Sequence, residues 1–218
     1  MSNESLSRYW QAALRAVAVA ALVVWGLVVA DVARQIDQPF AGFRCEEGLS
    51  VSPQTDPAWS GPRAGLKAYD YVLSANGRRL ARVAELKAIA AAAPAGTPIR
   101  YEVWRQGRVV TVVAPTQALT WRDAVSGFGP VLVVGLLHML IGLVGFWLRP
   151  AHPAAQAHLV LTLLVGLSFQ TLGVDFTLTH RFGRFYQSTV HLVGSALIAL
   201  ALVFPEPKAW VKRRWWLV

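Results

Sequence analysis

Few side chains in this sequence could do chemistry, and they are widely spaced. The 218 residues hold five histidines and one cysteine, Cys45. His138 and His191 stand inside apolar stretches, where polar residues are costly and often functional. The first falls near the middle of its stretch and the second one to two turns inside another, so at about 1.5 Å per residue their depths differ by several ångströms. That offset suits no haem pair, and His158 and His180 make no matched second pair. Interhelical hydrogen bonding, with His138, Gln170, Thr171 and His191 as glue, accounts for them more simply. Asp175, His180, Arg181 and Arg184 read as a hydrated loop. The chain has no H-E-x-x-H string for a membrane zinc protease, no G-x-S-x-G nucleophile turn, no P-loop and no phosphoacceptor histidine on a helical hairpin. A lone cysteine closes no intramolecular disulfide, and no Cys/His cluster has zinc spacing. The expectation is therefore no catalytic residue, no metal and no cofactor.

The elements around these residues are those of a membrane protein. Hydrophobic residues make up 55% of the chain and charged ones 15%, with mean hydropathy +0.42, which excludes a disordered tail or an ordinary soluble domain. Four apolar stretches predict a helical bundle of four spans. Residues 1–30 form a cytoplasmic N-terminus and a first span, 128–148 a second, 159–175 a third and 186–205 a fourth, the last stopped by Pro205 and Pro207. Between them lie an outside segment, 31–127, an inside loop, 149–158, and an outside loop, 176–185. A basic tail, 206–218, ends in Trp215-Trp216-Leu217-Val218, which reads as an aromatic belt opening a fifth span. Gly135, Gly142 and Gly145, and Gly194, Ser195 and Ala199, allow helices to approach closely.

Charge placement sets the orientation. The flanks assigned inside carry Arg8, Arg15, Arg149, Lys208, Lys212, Arg213 and Arg214, against Arg181 and Arg184 in the short outside loop, so both termini are cytoplasmic. The net charge of +9 is thus mostly topology. Segment 31–127 keeps twelve Lys and Arg against nine Asp and Glu, without a nucleic-acid stripe. The rival at the N-terminus is a signal peptide cleaved after Val28-Val29-Ala30. Either way the next segment lies outside.

From Leu49 to Pro115 short β-type runs alternate with turn residues around one helical stretch, which predicts a small, β-rich α+β domain. Leu49-Ser50-Val51 and Tyr71-Val72-Leu73 read as strands, and Asn76-Gly77 as a two-residue turn. Val83 to Ala93 reads as a helix with Leu86, Ile89 and Ala90 on one face, stopped by Pro94 and Gly96. Ile99 to Trp104, a Gln106-Gly107 turn and Val109 to Val113 complete a hairpin.

The string Arg63 to Gly77, containing Gly65, Leu66, Asp70, Asn76 and Gly77, resembles the bacterial PDZ signature A-G-L-x-x-G-D-x-I-L-x-x-N-G, with the following helix and hairpin in that family's order. The resemblance covers about residues 40–115. It departs at Tyr69, where the family has Gly before the Asp, so either the turn is reshaped or Tyr69 adopts a conformation that Gly takes more cheaply. A domain of this family receives an extended peptide by strand addition, with loop amides taking its C-terminal carboxylate. The resemblance places the loop at Phe40-Ala41-Gly42-Phe43, the receiving edge at Phe43, Arg44 and Cys45, and the groove wall on Leu86, Ile89 and Ala90. The alternative is a PDZ-like fold that packs or relays with an empty groove. The whole layout loosely resembles the N-terminal sensory region of bacterial membrane sensor histidine kinases.

These readings predict a multi-pass protein of the bacterial inner membrane with a periplasmic PDZ-like domain that senses or scaffolds without catalysis. Its partners are the lipid bilayer and a peptide C-terminus or a membrane or periplasmic protein, with a homo-oligomer open and nucleic acid excluded. The alternatives are an adaptor subunit of an envelope protease or quality-control complex, and the N-terminal half of a sensor kinase or related signalling enzyme.

Overall fold

The computed structural model describes residues 3–170, 172–174, 178 and 183–205. It divides into a helical unit, Met1–Val29 with Val131–Gly173 and Phe182–Val218, and a sheet unit, Ala30–Pro130 with Val174–Arg181. In chain order the elements are α1 (Asn3–Gln35), β1 (Pro39–Phe40), α2 (Ser60–Arg63), β2 (Tyr71–Ala75), β3 (Arg78–Arg79), α3 (Val83–Ala91), β4 (Pro98–Arg105), β5 (Arg108–Pro115), β6 (Gln117–Ala118), α4 (Trp121–Leu148), α5 (Pro153–Gln170) and α6 (Gly183–Val203).

In the sheet unit, four antiparallel strands run in the order β3-β2-β4-β5, and β1 pairs separately with β6. Both hairpin turns follow from residues that accept positive φ. Asn76 and Gly77 stand at 50° and 77°, joining Ala75 to Arg78, and Gln106 and Gly107 at 47° and 83°, joining Arg105 to Arg108. The Asn76 carboxamide oxygen also accepts the Arg100 amide at 2.9 Å, tying the turn to β4. Along β4, Ile99, Tyr101 and Val103 are buried while Arg100 and Trp104 face out, the period-two pattern of a one-sided sheet. Those side chains pack with Val72, Leu86, Ala90 and Val112 into one core. α3 buries Val83, Leu86 and Ala90, at helical spacing.

Two local features stand out, the first a departure from expectation and the second one of the two alternatives expected for Tyr69. Leu49-Ser50-Val51 forms only isolated bridges, Cys45 to Val51 and Ser50 to Tyr71. Leu49 takes φ 62° as its amide closes a turn onto the Glu46 carbonyl at 2.9 Å. Its side chain is 2% exposed, so burial offsets a backbone conformation that leucine rarely adopts. Tyr69 takes φ 68° with 72% of the residue exposed, the conformation a glycine would enter without a Cβ penalty.

The positions singled out in the string Arg63 to Gly77 have separate structural jobs. Gly65 stands at φ 104° and Leu66 is buried. Asp70, 1% exposed, accepts Arg105 Nε at 2.7 Å and Nη2 at 2.6 Å, and the Lys67 amide at 2.8 Å. Arg105 Nη2 also donates to the Gly65 carbonyl at 2.7 Å, and this carboxylate pairing holds the guanidinium pKa above its ordinary value.

Among the described residues three helices, lying mainly in the helical unit, are long and apolar enough to cross a membrane: Ser7–Gln35, Trp121–Leu148 and Pro153–Val174. A shorter apolar helix, Ser188–Val203, coincides with the fourth expected stretch. α4 starts at Trp121, earlier than the expected 128, because Thr120 and Asp123 cap each other: the Asp123 amide donates to Thr120 Oγ1 at 3.1 Å and the Thr120 amide to Asp123 Oδ2 at 3.0 Å. α5 starts at Pro153, inside the expected 149–158 loop, with proline at its first position and His152 Nδ1 accepting the Ala154 amide at 3.2 Å. The expected basic tail and most of the 176–185 loop, with Asp175 and His180, lie outside the described residues.

Small residues bring α4 and α5 together. A Cβ on Gly135 would stand 2.9 Å from the Gly166 carbonyl oxygen, and one on Gly142 would overlap Thr162 Oγ1. Of the residues expected as polar glue, His138 and Gln170 make no interhelical hydrogen bond among the described residues. His138 Nδ1 lies 2.9 Å from the carbonyl of Val134 on its own helix, its ring 5.5 Å from that of Phe169. Gln170 is 0% exposed, and among the described residues neither its carboxamide oxygen nor its nitrogen has a hydrogen-bond partner. Thr171 lies outside the described residues.

Candidate functional site

The strongest candidate is a groove in the sheet unit between α3 and the chain at 39–45. Its volume is about 250 Å³. One wall is the stripe Val83, Leu86, Lys87, Ala90 and Ala91 of α3, and the other is Phe40, Ala41, Phe43 and Cys45. Leu178 and Gln35 also line it.

The second wall has the makings of a strand edge. Ser52 N donates to the Arg44 carbonyl and Glu46 N to the Ser50 carbonyl, both at 2.9 Å, while Thr55 Oγ1 accepts Arg44 N at 3.1 Å. Those bonds use the even-numbered backbone groups. Alternation along an extended chain turns the groups of Phe43 and Cys45 the other way, and their amides and carbonyls make no hydrogen bond among the described residues. Phe43 is 4% exposed and Cys45 5%, so these are buried backbone groups without partners, an arrangement folded proteins rarely leave without purpose.

The loop before this edge is shaped by two glycines. Gly42 stands at φ 76°, where a Cβ would overlap Ser60 Oγ, and its carbonyl accepts the Gly61 amide at 2.9 Å. A Cβ on Gly61 would in turn lie 2.8 Å from the Gly42 carbonyl oxygen. The amides of Gly42 and Phe43 make no hydrogen bond among the described residues and could receive an anion.

The residues expected at the site divide clearly. Phe43, Cys45, Leu86 and Ala90 meet in the groove. Gly42 shapes the adjoining loop, and Ile89 packs against the core beside the helix stripe. Arg44 points away from the groove. Its guanidinium carbon lies 4.0 Å from the Phe128 ring centroid and 5.7 Å from that of Trp59, and Nη2 donates to the Gly127 carbonyl at 2.8 Å. The physical reason is alternation: a side chain between two groove-facing residues must take the opposite face, and there it finds aromatic rings and a carbonyl. Burial pulls the Arg44 pKa down to about 10, against the opposing pull of Asp56, so it stays cationic at neutral pH. Trp59 Nε1 donates to Asp123 Oδ1 at 2.9 Å, so both Arg44 and Trp59 attach to the first turns of α4.

Burial and the nearby Glu46 push the Cys45 thiol up to about 12, which leaves it an inert apolar residue at neutral pH. Tyr101, stacked edge-on to Phe43 at 5.4 Å, is also raised by burial, and its hydroxyl has no hydrogen-bond partner among the described residues. Among the described residues no three of His, Cys, Asp and Glu come together as a metal site.

Sequence reasoning missed Val83, Lys87, Ala91 and Leu178. The first three follow from extending the Leu86 and Ala90 stripe by helical spacing. Leu178 carries no local signal, since two long helices separate it in sequence from the other groove residues.

No family model matches the chain, and no curated protein matches it. Among solved structures, a serine endoprotease from Yersinia pestis is similar at 24% identity, covering 38% of this chain and 29% of that one, with TM-score 0.34. An aminopeptidase N family protein from Idiomarina loihiensis is similar at 17% identity, covering 36% of this chain and 14% of that one, with TM-score 0.29. The chain spans less than a third of the length of either, and at these TM-scores neither likeness bears on what it does.

Proposed function

We propose that this chain is a bacterial inner-membrane sensory or scaffolding protein whose PDZ-like domain, on the periplasmic side, takes an extended peptide or partner segment into the α3 groove. One observation carries the reading. The unpaired amides and carbonyls of Phe43 and Cys45 face an apolar helix stripe across a groove of about 250 Å³, the arrangement that strand addition requires. The amides of Gly42 and Phe43 suit the terminal carboxylate of such a peptide.

The domain hangs from four spans with both termini cytoplasmic. The 21 residues of α6, at about 1.5 Å each, reach about 31 Å, enough for a hydrocarbon core of roughly 30 Å. The residue between the two groove-facing positions, Arg44, grips Gly127 and Phe128 at the start of α4. A peptide paired to that edge therefore acts on the helix that leads to the second span, and this is the route by which occupancy is relayed or a partner organised.

The test is a screen of the full chain in lipid nanodiscs against random heptapeptides with free C-termini. Ala91, exposed at the groove rim, is changed to Glu as the control. Binding that Ala91→Glu abolishes supports the reading, and binding indifferent to it overturns it.

A further inference from the structure

The groove already holds a side chain of its own polypeptide. Leu178 follows α5 in sequence but belongs to the sheet unit, where it is 8% exposed and lines the groove with Phe43, Cys45 and Leu86. Its carbonyl accepts Lys87 Nζ at 2.7 Å, and Lys87 stands on the same α3 stripe.

We propose that Leu178 is the resident occupant of the groove, so that an external ligand enters by displacing it. This rests on the reading of the groove as a peptide site. Two observations make Leu178 an occupant rather than ordinary core. It brings a branched aliphatic side chain and a backbone carbonyl to the helix wall, which is what one residue of a bound peptide would bring. It leaves Phe43 and Cys45 covered but unbonded, at 4% and 5% exposure with no hydrogen bond to their backbone groups among the described residues. An extended peptide would supply the bonds Leu178 does not, so it has a means of winning the competition.

The ligand class follows. It is an extended segment that offers an aliphatic side chain between Phe43 and Leu86 and a carbonyl to Lys87. Without a competitor, Leu178 caps the apolar groove against unwanted strand pairing.

Cys45 is the chain's single cysteine and lines the groove, so its modification reports on the cover. The full chain in nanodiscs is treated with N-ethylmaleimide at fixed pH. Leu178→Ser, and separately Lys87→Met, which leaves the core intact, should each speed Cys45 labelling at least about tenfold, while Leu178→Met stays within about twofold. A reporter for unfolding is Val72→Cys in a Cys45→Ser background, since Val72 is 0% exposed. Its labelling should not change. Equal acceleration at both reporters, or no acceleration at Cys45 in either variant, overturns the proposal.

A heptapeptide ending in leucine with a free carboxylate separates this proposal from the reading beneath it. It should bind Leu178→Ser at least about tenfold tighter than the unaltered chain, because the competent state is no longer a minor one. Equal binding with unchanged labelling removes the resident occupant and keeps the receptor. Faster labelling without peptide binding keeps the occupant and removes the receptor.

Discussion

Replacing Asp70 by alanine should be the most damaging single change in the sheet unit. The carboxylate is 1% exposed and accepts three hydrogen bonds, two from Arg105 and one from the Lys67 amide. Its removal leaves the Arg105 side chain, only 16% exposed, with the Gly65 carbonyl as its partner. Breaking a buried pair from one side costs about 3–5 kcal/mol, out of the roughly 5–15 kcal/mol that holds a domain together. With a urea dependence of about 1.5 kcal/mol per molar for a unit near 100 residues, the midpoint should fall by about 2–3 M. Pulse alkylation of Cys45 across a urea titration of the full chain in nanodiscs reads this unit alone, because Cys45 is the only cysteine and sits in its core. Arg105→Lys, which keeps the charge and loses the fork, should cost about half as much. A midpoint shift under 0.5 M for Asp70→Ala would refute the role given to this pair.

Four smaller predictions rest on local geometry. Tyr69→Gly should raise the same urea midpoint by the equivalent of about 0.5–1 kcal/mol, the relief of a left-handed residue less the extra freedom of the unfolded chain, and a lowered midpoint would contradict it. Cys45 in the folded chain at pH 8 should alkylate about a thousandfold more slowly than in urea, since folding moves its pKa from 9.0 to about 12. The sign for stability follows from a raised pKa: this contribution is complete below pH 9 and is lost as pH rises towards 12, so a melt at pH 10.5 should respond to Cys45→Ala less than one at pH 8. Gly166→Leu should separate α4 from α5, costing about 1–3 kcal/mol, because a side chain there meets the Gly135 carbonyl; unchanged resistance to detergent unfolding would argue against that contact.

What could be read in advance was local. Asn76-Gly77 and Gln106-Gly107 announce their turns because few residues accept positive φ, and Val83 to Ala91 announces a helix by composition and by the Pro94 and Gly96 that end it. The capping pair Thr120 and Asp123 was equally legible, and would have placed the start of α4 at Trp121. Leu49 at φ 62° was not, because a buried side chain overrides a local preference that argues against it. Of the site, Phe43, Cys45, Leu86 and Ala90 were within reach of sequence, whereas the outward turn of Arg44 depended on which face the chain at 43–45 presents. Arg105 beneath Asp70 and Leu178 beside Cys45 are long-range pairings, and spacing along a chain holds no record of them.

The central claim is that the α3 groove receives a peptide by its backbone and its terminal carboxylate. The most direct measurement titrates one leucine-ending heptapeptide, as free acid and as amide, against the full chain in nanodiscs and against its Leu178→Ser form. The account predicts saturable binding of the acid, loss of about tenfold or more on amidation, and abolition by Ala91→Glu. Acid and amide binding alike, or no binding by either form of the chain, would contradict it.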